Sequence, residues 1–196
     1  MRAAHTDARR PARARAALLL ACCLLLTACP PEGGRLAPVL PDGGGVRITS
    51  RAGVEVLEVT RDGVTMAAGG RWSVADAATS VILEVKNANA EEMSIDFGGA
   101  HLKLGDASHY LALRSLADEG EPGGPVKFLR ERRVTVGGGR GARFALEFWL
   151  DGGDGRAGVA RDMSGRAVIL RIPAELRRAT PAEVDFVFLF KYSESR

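Results

Sequence analysis

The sequence predicts an all-β fold, an antiparallel β-sandwich preceded by an export signal and a disordered tether. Three observations carry that expectation. Phe144, Leu146, Phe148 and Leu150 alternate with Arg143, Ala145, Glu147 and Trp149, the period-two pattern of a half-buried strand. Gly-rich pairs separate the apolar runs at Asp62-Gly63, Gly69-Gly70, Gly98-Gly99, Gly123-Gly124, Gly137-Gly138-Gly139 and Gly152-Gly153, where turns demand positive φ. The longest unbroken apolar run, Ala16 to Leu26, has 11 residues. A bilayer-spanning helix needs about 20, so none is expected.

From the N-terminus, Arg2, Arg9, Arg10, Arg13 and Arg15 face one acid, Asp7, before that apolar run, and Leu26-Thr27-Ala28-Cys29 follows it. A basic segment, a short apolar segment and small residues are the three parts of a secretory signal. Leu-Thr-Ala-Cys resembles the lipobox of bacterial lipoproteins. The resemblance implies cleavage after Ala28 and a diacylglycerol on the Cys29 thiol. Pro30 follows the cysteine where that family uses aspartate for inner-membrane retention, which implies the outer membrane in an organism with two. A twin-arginine export signal at Arg9-Arg10 is the lesser alternative, since Pro11-Ala12 replaces its hydrophobic pair.

Cleavage removes the basic excess. The whole chain carries 27 basic and 24 acidic residues, and removal of residues 1–28 leaves 22 and 23. Net charge therefore gives no basis for nucleic-acid binding. Cys22 and Cys23 leave with the signal, and Cys29 is the one cysteine that remains. With Cys29 acylated, no disulfide, thiolate metal site or cysteine nucleophile is expected.

Residues 30–45 contain four prolines and five glycines, which argues against a helix or a paired central strand. Residues 29–45 are thus read as lipidated cysteine and tether, and 46–196 as one domain. Within it Val81, Leu83 and Val85 alternate with Glu84 and Lys86. Phe186, Phe188, Phe190 and Tyr192 share a face, with Val187 and Leu189 opposite, which marks a central strand. Further strands are expected at 54–60, 64–67, 93–97, 101–104, 110–113, 126–129, 134–136 and 167–172. The best helix candidates are Leu111 to Glu119 and Ala174 to Ala179. Val81 to Asn87, Ile95 to Phe97, Leu102 to Asp106 and Gly137 to Phe148 together resemble Ig-like domains of bacterial lipoproteins. That resemblance implies an Ig-like β-sandwich and says nothing of activity.

Chemistry-bearing patterns are sparse. Gly137 to Ala142 fits a G-x-G-x-x-A spacing, but an alternating strand follows where a phosphate cradle needs a helix. His101 and His109, with Asp106, form the one candidate metal set, short of the usual zinc complement. Asp151-Gly-Gly-Asp154-Gly lacks the order of a calcium loop. No Gly-x-Ser-x-Gly elbow accompanies either histidine. Arg130, Arg132 and Arg133 form the densest basic run, and Trp149 faces outward opposite Phe148. Both are candidate partner contacts, and a charged edge strand or a covering loop accounts for them equally.

The expectation is a lipid-anchored, non-enzymatic envelope lipoprotein whose β-sandwich binds an envelope protein, without cofactor, metal or nucleic acid. The alternatives are an envelope hydrolase with a loop-built site and a metal-binding lipoprotein using His101 and His109. The anchor is tested at its thiol. Cys29→Ser is expected to abolish incorporation of an alkyne-tagged fatty acid, and equal labelling of both chains would refute the lipobox.

Overall fold

The computed structural model describes residues 33–41, 44–51, 53–73, 78–105, 110–120, 126–150 and 165–194. The signal segment, Cys29, Asp106, His109, Asp151 and Asp154 lie outside them. In chain order the strands are β1 (Gly33–Pro38), β2 (Val46–Arg51), β3 (Val54–Arg61), β4 (Val64–Ser73), β5 (Ala78–Asn87), β6 (Met93–Asp96) and β7 (His101–Leu104). After them come β8 (Tyr110–Asp118), β9 (Lys127–Phe128), β10 (Arg133–Val136), β11 (Gly141–Leu150), β12 (Ala167–Leu176) and β13 (Ala182–Glu194). The protein is all-β, and the described residues contain no helix.

Eight strands, in the order β1-β13-β12-β7-β8-β11-β5-β4, return to β1 and close an antiparallel barrel. This corrects the expected Ig-like sandwich. The physical reason is β1, residues 33–38 of the stretch whose proline and glycine content reads as a tether. One edge of β1 pairs Gly34–Pro38 with Glu194–Phe190, and the other pairs Gly33–Arg35 with Ser73–Arg71. An open sandwich would leave both of those edges unpaired. The glycines that suggested a tether are what admit the strand. A Cβ on Gly33 would lie 2.6 Å from the Trp72 carbonyl oxygen, and one on Gly34 would lie 2.5 Å from Trp72 Nε1.

Other departures from the sequence reading have equally local causes. Gly69-Gly70 lies inside β4 and makes no turn: a Gly69 Cβ would stand 2.7 Å from Val56 Cγ1. Leu111 to Asp118 belong to β8, where the register with β11 shifts at Glu147/Phe148, and Glu119 follows the strand. That bulge puts Leu111 and Leu116, five positions apart, both in the core, so the sequence loses its period of two. Ala174 to Leu176 continue β12 because β13 and β6 hold them on both edges. Pro173 falls between the stretches of β12 paired to β7 and to β6, where its missing N–H is tolerated. Of the basic run, Arg130 and Arg132 precede β10 and only Arg133 enters the strand.

Many expectations hold. Asp62-Gly63 is a hairpin turn with φ of +51° and +77°, joining β3 to β4. Phe144, Leu146 and Phe148 point inward beside Phe186, Phe188, Phe190 and Tyr192. β13 is central, between β12 and β1. These side chains fill the interior, as the small bore of an eight-stranded barrel requires. Aromatic residues inside and charged residues outside reverse the sense of a transmembrane barrel. Thr79 Oγ1 and the Tyr192 hydroxyl, both buried, share a 2.7 Å hydrogen bond, and burial pushes the Tyr192 phenol well above its ordinary range. Asn87 spans a corner: its Nδ2 donates to Glu91, Val136 and Gly137 carbonyls and its Oδ1 accepts from Asn89 N.

The register has a direct stability test. Phe188→Ala is expected to cost about 3–5 kcal/mol and Leu146→Ala about 2–5, by cavity formation. Glu147→Ala, on the outer face, should change stability by less than about 0.5 kcal/mol. Urea midpoints in the opposite order would place β11 one residue out of register.

Candidate functional site

Because the interior is packed, the concave surface lies outside the barrel, and β1 creates it. β3 pairs with β4 only over Leu57–Arg61 against Ala68–Val64, since β1 takes the β4 edge from Arg71 onward. Beyond Leu57 the β2–β3 hairpin leaves the sheet, and its tip crosses the outer faces of β4 and β5. A groove of about 460 Å³ lies beneath it.

Small residues make the floor. Leu57 and Val59 face the core, so Val56 and Glu58 face outward. On β4 the outward positions include Ala67, Gly69 and Arg71, and on β5 Ser80, Ile82 and Glu84. Val56, Ala67, Gly69 and Ile82 give an apolar bed, while Arg35, Arg51, Arg71 and Arg143 stand around it with Glu55 and Glu84.

The arginines fall into two sets. Arg51 and Arg143 belong to a charge ladder that fastens the hairpin. Glu58, 4% exposed, accepts from Arg47 Nε at 2.7 Å and from Arg51 Nη2 at 3.0 Å. Arg51 also pairs with Glu84 on β5. Arg143 Nη1 stands 4.0 Å from Glu84, and its Nε is 2.7 Å from Glu119 without hydrogen-bond alignment. Arg35 and Arg71 behave differently. They are directly opposite across the β1–β4 pair and both are exposed. No acidic side chain among the described residues pairs with either. Like charges in such a position repel, so the arrangement favours an anionic group set between them.

The residues singled out from the sequence are distributed elsewhere. Trp149 is 36% exposed, opposite Ala78 and Ala112. Arg132 is half-buried and braces a turn: Nη2 donates to the Arg114 carbonyl at 3.2 Å, and its own carbonyl accepts from Phe97 N at 2.6 Å. Arg133 pairs with Glu175 at 3.7 Å, and Arg130 is exposed. His101 Nδ1 is 3.0 Å from the Gly99 carbonyl, and its ring meets Tyr110 edge-on at 5.4 Å. The metal set with His109 and Asp106, and the Asp151 turn, lie outside the described residues. Among the described residues no three His, Cys, Asp or Glu side chains converge on a common point. The groove escaped sequence reasoning because its arginines are spread over β1, β2, β4 and β11. Its one local signal is the row of small outward residues Ala67 and Gly69 ending in Arg71.

Glu58 makes the ladder testable. Replacing Arg47 and Arg51 together by Ala leaves a buried carboxylate unpaired, at an expected cost of about 3–5 kcal/mol. Glu58→Gln should cost less, because the freed arginines return to water. Urea unfolding in which Glu58→Gln proves the more damaging would contradict this account. A scan against protein-family models and a search of curated protein sequences each find no match for the chain.

Proposed function

We propose that this chain is a lipid-anchored protein of the bacterial cell envelope whose barrel is a non-enzymatic interaction module. The groove beneath the β2–β3 hairpin is its binding surface, and an envelope protein is its partner. The observation that carries the reading is the Arg35–Arg71 pair at the side of an apolar bed. An extended segment with small apolar side chains and a carboxylate fits that chemistry, its acid between the two guanidinium groups. Leu26-Thr27-Ala28-Cys29 supports the anchor, and Pro30 after it supports the outer membrane in an organism with two. No cofactor or nucleic acid enters this reading. Arg130, Arg133 and Trp149 remain secondary contact candidates.

A photo-reactive amino acid at Ile82 tests the groove in intact cells. It is expected to form a defined protein adduct, while the same group at outward Val187, on the other side of the ring, forms none. Arg35→Glu with Arg71→Glu should reduce the adduct roughly tenfold or more, since losing a paired interface charge costs about 2–5 kcal/mol. An Ile82 adduct indifferent to that charge reversal would overturn the assignment, as would no adduct at all.

A further inference from the structure

We propose that the free end of the β2–β3 hairpin is a lid over the groove, hinged at Leu57 and latched by Arg51 on Glu84. The inference rests on the groove as the binding surface read above and adds the control of access to it. β3 keeps its ladder with β4 from Leu57 to Arg61, and Thr60 N donates to the Gly45 carbonyl at 2.8 Å. The base of the hairpin is therefore fixed. Beyond Leu57, Val56, Glu55 and Val54 pair with β2 alone, and Ala52 in the turn lies outside the described residues. The tip rests directly on the sheet: a Cβ on Gly69 would stand 2.7 Å from Val56 Cγ1 and 3.2 Å from the Glu55 carbonyl oxygen. Ala67 faces outward between the core residues Met66 and Ala68, yet it is only 3% exposed, because the hairpin covers it.

Two opposing features set this lid near balance. Glu58, Ala67, Glu84 and Arg143 occupy one row across β3, β4, β5 and β11. Arg51 reaches from the tip over Ala67 and joins the carboxylates on either side of it, Glu58 and Glu84. The side chains of the Arg51–Glu84 pair are 40% and 32% exposed, so the pair contributes little and salt screens it. Against the latch stands Thr49, directly opposite Val56 and therefore on the underside of the hairpin. Its Oγ1 is buried without a hydrogen-bond partner among the described residues. A hydroxyl shut away unpaired favours opening. A carboxylate entering the groove competes with Glu84 for Arg51, so the ligand itself releases the latch.

A thiol on the groove floor reports the opening without any partner. The full chain carrying Ile82→Cys is treated with a polyethylene glycol maleimide, and modification is read from the mass of the peptide that holds position 82. Cys22, Cys23 and Cys29 then do not interfere. Val187→Cys, at an exposed outward position, is the reference. Labelling follows the population of the open form, so position 82 is expected to react more slowly than position 187. Glu84→Gln should speed it about fivefold, the scale of a half-exposed ion pair, and Thr49→Val should slow it about fivefold. High salt should speed the parent and leave the Glu84→Gln chain unchanged, an arm that needs no change at the latch. Equal rates at position 187 show that each variant is folded. Labelling at position 82 indifferent to Glu84, Thr49 and salt overturns the lid, even where the cellular adduct at Ile82 forms. Labelling that follows the latch while no cellular adduct forms keeps the lid and removes the proposed partner.

Discussion

The insertion of β1 between β4 and β13 is the contact on which the rest of this structure depends. The strand has only six residues, Gly33–Pro38, paired to β4 over Gly33–Arg35 and to β13 over Gly34–Pro38, yet they join the two edges that an open sheet would expose. Leu36, 2% exposed, seals the core from this side. Beneath it Trp72 and Tyr192 meet edge-on at 5.6 Å, and the Tyr192 hydroxyl is tied to Thr79. The space is narrow enough that the strand must open with two glycines. Any side chain at Gly34 would meet the Trp72 ring nitrogen and the Ser193 backbone.

The groove is a consequence of the same closure. A strand edge has one set of donors and acceptors, and β1 and β3 divide that of β4 between them. Displaced from the sheet, the β2–β3 hairpin would be a loose flap were it not for Glu58, Arg51 and Glu84. A nearly buried carboxylate held by two arginines is a weak source of stability but a specific one: it fixes where the hairpin tip lies. The hairpin's position then sets the groove's depth, and β1 supplies Arg35 to its wall. Barrel closure, hairpin placement and the opposed arginine pair are thus successive effects of one short strand.

Much of the domain was legible in the sequence wherever one face of a strand is buried and the other wet. The registers of β5 and β11 follow from that alternation, the aromatic face of β13 from Phe186, Phe188, Phe190 and Tyr192 at every second position, and the β3–β4 turn from Asp62-Gly63. Legibility failed where a tertiary contact overrides local preference. Gly33-Gly34 and Gly69-Gly70 have the composition of linkers and turns, but their role is close approach, which depends on Trp72 and Val56 lying across from them. The bulge in β8 shifts Leu116 into phase with Leu111 and breaks the period of two by which a strand is read. The candidate site was the least legible part. Arg35 and Arg71 are 36 positions apart in the chain and become neighbours only through the β1–β4 pairing. Trp149, by contrast, could be placed outside from its own strand alone.

Hydrogen exchange at residues 33–38 tests the central claim most directly. If β1 is the strand that closes the barrel, the amides in its paired stretch exchange only with the opening of the domain. They should be protected to a degree comparable with Leu146 and Phe188, and far more than those of the peripheral strand β2. Exchange of the Arg35 and Leu36 amides at the rate of an unstructured chain, while β11 and β13 stay protected, would show a tether in place of a strand and would contradict the closed barrel.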